Sequence, residues 1–433
     1  MKTRILILTV LITLIPPFLA AHTPIAAQDT AWRVESPVRL SEALDGFHSP
    51  AHQIYVAPDG RHVAYGDPDH TAVCTLDVPT REETCIPLLP EMGYSFQPND
   101  FFPALRWSPD STKMALIGLP YHYLRDTDLG LVDLSGSLPS FANLADDSYV
   151  GTMRPGSIDR AVTIEINPAF SPDSTKIAVE RTTVTAEGQF ARSTLAVFNL
   201  TTGEAHDLSN LPGNEAYEVD AGSIIGMDWS PDGSTLAVAL HHQRPDPLFD
   251  GIWLVDVASG TWAQLITVDA AQAAVQTIYA DTGDVLVPAP LRWSPDGSRL
   301  LFWAGDPGRF VGSLWVFWTD LDSHDITAVQ LPTSPEDQPR LRMNWPAQAV
   351  WSPDGSQLLV AVRMVMPPNP AEAKPLVESG EVLTTALYLI DVPSGDRTLL
   401  GHLPREDAPA YIAAWGPDDE VIAGGYSFKL ARQ

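Results

Sequence analysis

The chain is poor in cysteine, poor in basic residues and, past its N-terminus, without long apolar runs. It has 433 residues, 2 cysteines, and 26 lysines and arginines against 54 aspartates and glutamates. Two cysteines cannot build the multi-bridge framework of a small secreted scaffold. The formal charge of −28 repels phosphate backbones and anionic lipid surfaces, so nucleic acid is not an expected partner. No stretch after the N-terminal segment reaches the roughly 20 apolar residues that cross a bilayer as a helix. The Gly-x-Ser-x-Gly elbow that presents a serine nucleophile is also missing from the sequence.

The N-terminal segment sets the expected compartment. Lys2 and Arg4 precede the apolar run Ile5 to Ile15, then Pro16-Pro17 and a small-residue stretch ending Ile25-Ala26-Ala27. That order reads as a secretory signal peptide over residues 1–27, leaving 28–433 as one extracytoplasmic domain, secreted or periplasmic. The run is short for a membrane anchor and is interrupted by the prolines. It contains no cysteine for lipid attachment.

What is abundant points to short strands and turns: 39 prolines, 29 glycines and 12 tryptophans. One phrase recurs. Val56-Ala-Pro-Asp-Gly60, Trp107-Ser-Pro-Asp-Ser111, Phe170-Ser-Pro-Asp-Ser174, Trp229-Ser-Pro-Asp-Gly233, Trp293-Ser-Pro-Asp-Gly297, Trp351-Ser-Pro-Asp-Gly355 and Trp415-Gly-Pro-Asp-Asp419 begin 51, 63, 59, 64, 58 and 64 residues apart. Such intervals hold one four-stranded blade each. In six of the seven an aromatic ends a strand; in all, proline presets φ and aspartate bonds the following backbone, and in four a closing glycine takes positive φ. An apolar strand follows, such as Lys113-Met-Ala-Leu-Ile117, then a third strand that ends like Ile252-Trp-Leu-Val-Asp-Val-Ala-Ser-Gly260.

This order of elements resembles the WD40-like "PD40" repeat of TolB-type propellers, over nearly the whole mature chain. The resemblance implies an all-β, seven-bladed propeller of four-stranded antiparallel blades. The last phrase is followed by only two further strands, so Trp32 to Leu40 is expected to pair as the outer strand of that blade and close the ring. Pro37 is tolerable on such an outermost strand. Cys74 and Cys85 flank a hairpin turning at Pro79, and in an oxidising compartment they are expected to form a disulfide.

Candidate ligand-binding residues fall on the connections from strand two to three and from blade to blade, which emerge at one face and vary in length. They are Tyr121, His122, Arg154, Arg160, His242, Arg244, Arg309, Arg342 and Trp345. Basic groups gathered on so acidic a protein suit an anionic or peptide-carboxylate ligand, and aromatic groups beside them suit sugar rings. No metal or other cofactor is expected. His241 and His242 are adjacent on a strand end and should point opposite ways. Asp320-Leu-Asp322-Ser-His-Asp325 lacks the glycine and terminal glutamate of a calcium loop and is expected to be a turn. The Ser-Pro-Asp aspartates are read as turn chemistry.

The function these features imply is a non-catalytic binding scaffold for a protein, peptide or glycan, as the resemblance to TolB implies binding through the propeller. TolB's separate N-terminal domain has no expected counterpart here, which puts a Tol-system role in doubt. The alternative is a propeller lyase or glycoside hydrolase with a site on the long-loop face. Serine peptidase chemistry, known from propellers joined to a hydrolase domain, is not expected.

Overall fold

Each Ser-Pro-Asp phrase folds into a closed turn. In a computed structural model, which describes residues 32–39, 55–66, 72–88, 105–117, 128–145, 159–187, 190–213, 223–242, 248–276, 291–302, 315–330, 348–363, 384–404, 414–416, 419–423 and 426–432, the serine hydroxyl donates to the aspartate at 2.6 Å in five copies, Ser108–Asp110, Ser171–Asp173, Ser230–Asp232, Ser294–Asp296 and Ser352–Asp354. The same carboxylate accepts the backbone N–H two residues on, at 3.0 Å from Ser234, Ser298 and Ser356. The serine hydroxyl and these amides hold the carboxyls of Asp173, Asp232 and Asp296 below the ordinary range. Every one of these aspartates is thereby consumed in its own turn.

The fifth and last position of the phrase lies in the left-handed region throughout. Gly60, Gly233, Gly297 and Gly355 have φ of 67°, 72°, 73° and 69°, and Ser111, Ser174 and Asp419 have 58°, 57° and 58°. A side chain in that conformation costs roughly 1–2 kcal/mol. The serines use theirs: Ser111 Oγ accepts the N–H of Asp59 at 3.1 Å, and Ser174 Oγ accepts that of Asp110 at 3.2 Å. These bonds join the turn of one blade to the turn of the blade before it.

Seven four-stranded antiparallel sheets result. In chain order their first strands are Tyr55–Val56, Leu105–Trp107, Val162–Phe170, Ser223–Trp229, Arg292–Trp293, Gln348–Trp351 and Ala414–Trp415, which number blades 1 to 7. First strands of consecutive blades lie side by side, blade 3 against both blade 2 and blade 4, so they form the wall of the central channel. The seventh sheet is completed by Trp32–Arg39 pairing antiparallel with Tyr426–Arg432. Its register breaks between Glu35 and Val38, where Pro37 cannot donate to a ladder. The ring thus closes as the sequence implied. Around the other side of that join, Gly60 of blade 1 packs against the backbone of Gly416 and Glu420 of blade 7.

The core lies between blades. Leu301, Val316 and Trp318 of blade 5 pack on Trp351, Leu358 and Val360 of blade 6. The second strands face two neighbours at once, as in Leu236 to Leu240 with every side chain buried. That explains their lack of polar alternation. The phrase tryptophans add a directed link. Trp107, Trp229, Trp293 and Trp351 each donate the indole N–H, at 3.0, 2.9, 3.1 and 3.2 Å, to the carbonyls of Tyr55, Ala169, Asp228 and Arg292. Each acceptor sits one residue before the phrase of an earlier blade, the immediately preceding one in all four cases.

Cys74 and Cys85 are bonded, across directly opposed positions of neighbouring strands. Their Cα atoms are 4.0 Å apart, closer than the roughly 4.4–6.8 Å usual for the bond. Asp320 to Asp325 form the turn from third to fourth strand in blade 5, with Asp320 accepting the N–H groups of Asp322 and Ser323 at 3.0 and 3.1 Å. Among the described residues, no helix is long and apolar enough to cross a membrane.

Candidate functional site

The channel wall carries a charged cluster that the sequence reading did not single out. The position just before the phrase aromatic reads Tyr55, Arg106, Ala169, Asp228, Arg292, Val350 and Ala414 around the ring. Strand alternation turns this position away from the seam where the tryptophan packs. Arg106, Asp228 and Arg292 come from blades 2, 4 and 5, yet each lies within charge–charge range of the other two. Blades 2 and 5 are not neighbours, so this electrostatic influence runs across the channel.

Their partners are unequal. Asp228 accepts the backbone N–H of Trp293 at 2.9 Å. Burial holds its carboxyl above the ordinary range, against the pull of Arg292 and of that amide. Arg292 donates from Nη1 to the carbonyl of Leu291 at 3.0 Å. The Arg106 side chain makes no hydrogen bond and no ion pair among the described residues. Burial, then the like charge of Arg292, push its guanidinium down to about 10. All three side chains remain partly accessible to water, as channel-lining groups should. Two guanidiniums and one carboxylate leave a surplus positive charge in a chain of net −28.

A second polar group closes blade 4. His242 is 1% exposed and its Nδ1 lies 2.7 Å from Asp250, whose carboxylate also accepts the His242 backbone N–H at 2.9 Å. His241 approaches the same carboxylate at 3.5 Å. The two rings therefore share one partner instead of pointing apart, because the chain leaves the strand at His241 and bends toward Asp250. A side chain on Gly213 would place its Cβ 2.9 Å from His242 Nε2 and 2.8 Å from the Phe249 ring. His242 is thus packed inside the blade, where the sequence reading expected an exposed loop residue. This arrangement pins the connection between second and third strands.

Blades 3 and 4 share a buried polar seam. Glu180, 2% exposed, accepts the N–H of Ile224 at 2.7 Å and the hydroxyl of Ser223 at 3.1 Å. Asn167, at φ 55°, donates to the carbonyl of the same Ile224. It sits where the blade 3 ladder shifts register between Ile166 and Ala169. Burial raises the Glu180 carboxyl to about 7, opposed by the Ile224 amide and the Ser223 hydroxyl.

Of the nine residues named from sequence, Arg160 and His242 lie in the described part. Arg160 is exposed just ahead of the first strand of blade 3. Tyr121, His122, Arg154, Arg244, Arg309, Arg342 and Trp345 lie outside the described residues. Among those described, the one grouping of three histidine, cysteine or carboxylate side chains close enough to hold a metal ion is Cys74, Glu83 and Cys85, and its two sulfurs are bonded to each other.

No protein-family model matches the chain, and no curated protein matches it. Solved structures do. It is similar to an oligogalacturonate lyase in complex with manganese, at 16% identity and a TM-score of 0.51, covering 93% of this chain and 96% of that one. What is shared is the propeller. TolB proteins are also among the similar structures, that of Acinetobacter baumannii at 16% identity and a TM-score of 0.37, covering 88% of this chain and 78% of that one.

Proposed function

We propose that this chain is an exported propeller that binds a protein, peptide or glycan without transforming it, and that the ligand engages the central channel as well as the long loops. The observation that carries the reading is the pair of partly exposed guanidiniums, Arg106 and Arg292, set against the one carboxylate of Asp228 in the same slot of the first strands. Fixed cations in a partly desolvated recess attract an anion far more strongly than cations in bulk water do. The acidity elsewhere repels anions from the rest of the surface, which favours one entry point. The disulfide and the N-terminal segment support an extracytoplasmic address.

A lyase or glycoside hydrolase acting on an acidic sugar is the second reading. The same guanidiniums favour it, and so does the similarity in fold to an oligogalacturonate lyase. The two readings separate on one experiment. Labelled full-length protein is applied to peptide and glycan arrays at 0.15 M salt, and each ligand that binds is then incubated with the protein and weighed by mass spectrometry. Retention of an unaltered ligand is the expected result. Cleavage or elimination, lost on replacing channel residues, would establish the enzyme.

A further inference from the structure

Blade 1 carries its disulfide at an exposed outer edge, beside a carboxylate. Independently of the scaffold reading, we infer that Cys74, Cys85 and Glu83 form a redox-gated zinc site, which binds Zn²⁺ once a dithiol has reduced the bond between the two sulfurs.

The strands place the three ligands. Ala72–Asp77 and Glu82–Pro87, the third and fourth strands of blade 1, pair without a register break from Ala72 opposite Pro87 to Asp77 opposite Glu82. Cys74 stands directly opposite Cys85 within that run. Backbone pairing holds the register, so the two sulfurs stay neighbours whether or not they are joined. Glu83 lies two residues before Cys85, and the strand period turns both side chains to one face. The two sulfurs and a Glu83 carboxylate oxygen all lie within 4.8 Å of one another. With bonds of about 2.3 Å to sulfur and 2.0–2.2 Å to oxygen, a tetrahedral Zn²⁺ spans ligand atoms roughly 3.6–3.8 Å apart. Opening the sulfurs to that spacing takes side-chain rotation, with the strand register kept.

A fourth group steadies the carboxylate. Tyr65, on the second strand, is paired with Cys74, and its hydroxyl donates to Glu83 Oε1. The Tyr65 side chain is itself 1% exposed, so packing fixes the donor. A hydrogen bond of this kind behind a metal ligand sets its orientation. The donor set selects the ion. Two thiolates disfavour calcium and magnesium, and a carboxylate beside them disfavours copper(I), whereas Zn²⁺ accepts the mixture and keeps its fourth position for water.

Exposure selects the gate. Cys74 is buried, while Cys85 is exposed on the outermost strand of the blade. The thiolate of an incoming dithiol attacks Cys85 Sγ, and the Cys74 sulfur leaves as a thiolate and takes up a proton. The second thiol of the reductant then displaces Cys85 and closes the reductant's own disulfide. Two electrons and two protons have passed to the protein, and both protons are released when the thiolates bind Zn²⁺.

In the test, full-length protein is reduced with dithiothreitol without denaturant, desalted under nitrogen and titrated with cobalt(II), which takes zinc's place and absorbs in the near ultraviolet when bound to thiolate. One cobalt per chain should bind with that absorption, zinc should displace it, and untreated protein should show none. Glu83→Gln should weaken cobalt at least tenfold, and Tyr65→Phe about tenfold through the orientation of Glu83. Cys85→Ser should lose the absorption. The reduced chain should keep the circular dichroism of its sheets, because backbone pairing holds the register. Folded protein that resists dithiothreitol, reduced protein that keeps its sheets and gives no thiolate absorption, Glu83→Gln or Tyr65→Phe binding as wild type does, or loss of the sheets on reduction would each overturn the site.

Discussion

The indole N–H of Trp229 donates to the carbonyl of Ala169 at 2.9 Å and ties blade 4 to blade 3. The same link joins Trp107 to Tyr55, Trp293 to Asp228 and Trp351 to Arg292. Blade 3 carries Phe170 in the corresponding place and forgoes the link. A Trp229→Phe change keeps most of the packing at this 4% exposed site and leaves the Ala169 carbonyl unpaired. It should cost about 1–2 kcal/mol in urea unfolding. A change below a few tenths would show that the recurrent tryptophan is retained for its volume alone.

Ring closure rests on Trp32–Arg39. Deleting residues 28–40 exposes the edge of Tyr426–Arg432 and removes the cover that Val34 gives to Leu430 and Phe428. The deletion variant should melt several degrees lower and show faster amide exchange in blade 7 than in blade 4. Unchanged melting would mean that the strand adds nothing to closure.

Glu180 supplies a pH signature. Its carboxyl is raised by burial from an ordinary value of 4.5 to about 7. The folded chain therefore keeps a proton that the unfolded chain loses, so this group's stabilising contribution is full below about 4.5 and falls as pH rises through about 7. The shift corresponds to roughly 3 kcal/mol of pH-dependent stability. Glu180→Gln retains an oxygen for the Ile224 N–H and should flatten the stability profile between pH 4.5 and 7. An unchanged slope would assign the titration to other groups.

The disulfide should leave no titratable thiol in the folded or denatured protein, since Cys74 and Cys85 are the only cysteines. Replacing both with alanine should cost on the order of 2–4 kcal/mol. Two reactive thiols in protein prepared from an oxidising compartment would contradict the pairing.

The fold was legible because the turn chemistry is written out in each repeat. Ser-Pro-Asp-Gly needs no long-range partner to form, so aligning seven copies gave blade number and strand order, and the incomplete last blade gave the closing strand. The Asp320–Asp325 segment was likewise readable as a turn from its place after a third strand. The channel cluster was written there too. Aligning the residue before each aromatic returns Arg106, Asp228 and Arg292 in one slot. Only ring geometry, however, brings blades 2, 4 and 5 within range of one another, and no local pattern reports that. His242 illustrates the reverse case. A histidine beside Arg244 and Asp246 looked like loop chemistry, whereas the bend after His241 folds its ring inward onto Asp250.

The most direct measurement is a crystal structure of the full chain grown with a ligand that the arrays retain. The account predicts that ligand unaltered and seated in the central channel, with an anionic group at Arg106 or Arg292. A ligand seated only on the long-loop face, with both arginines untouched, or a cleaved product in the channel, would contradict it.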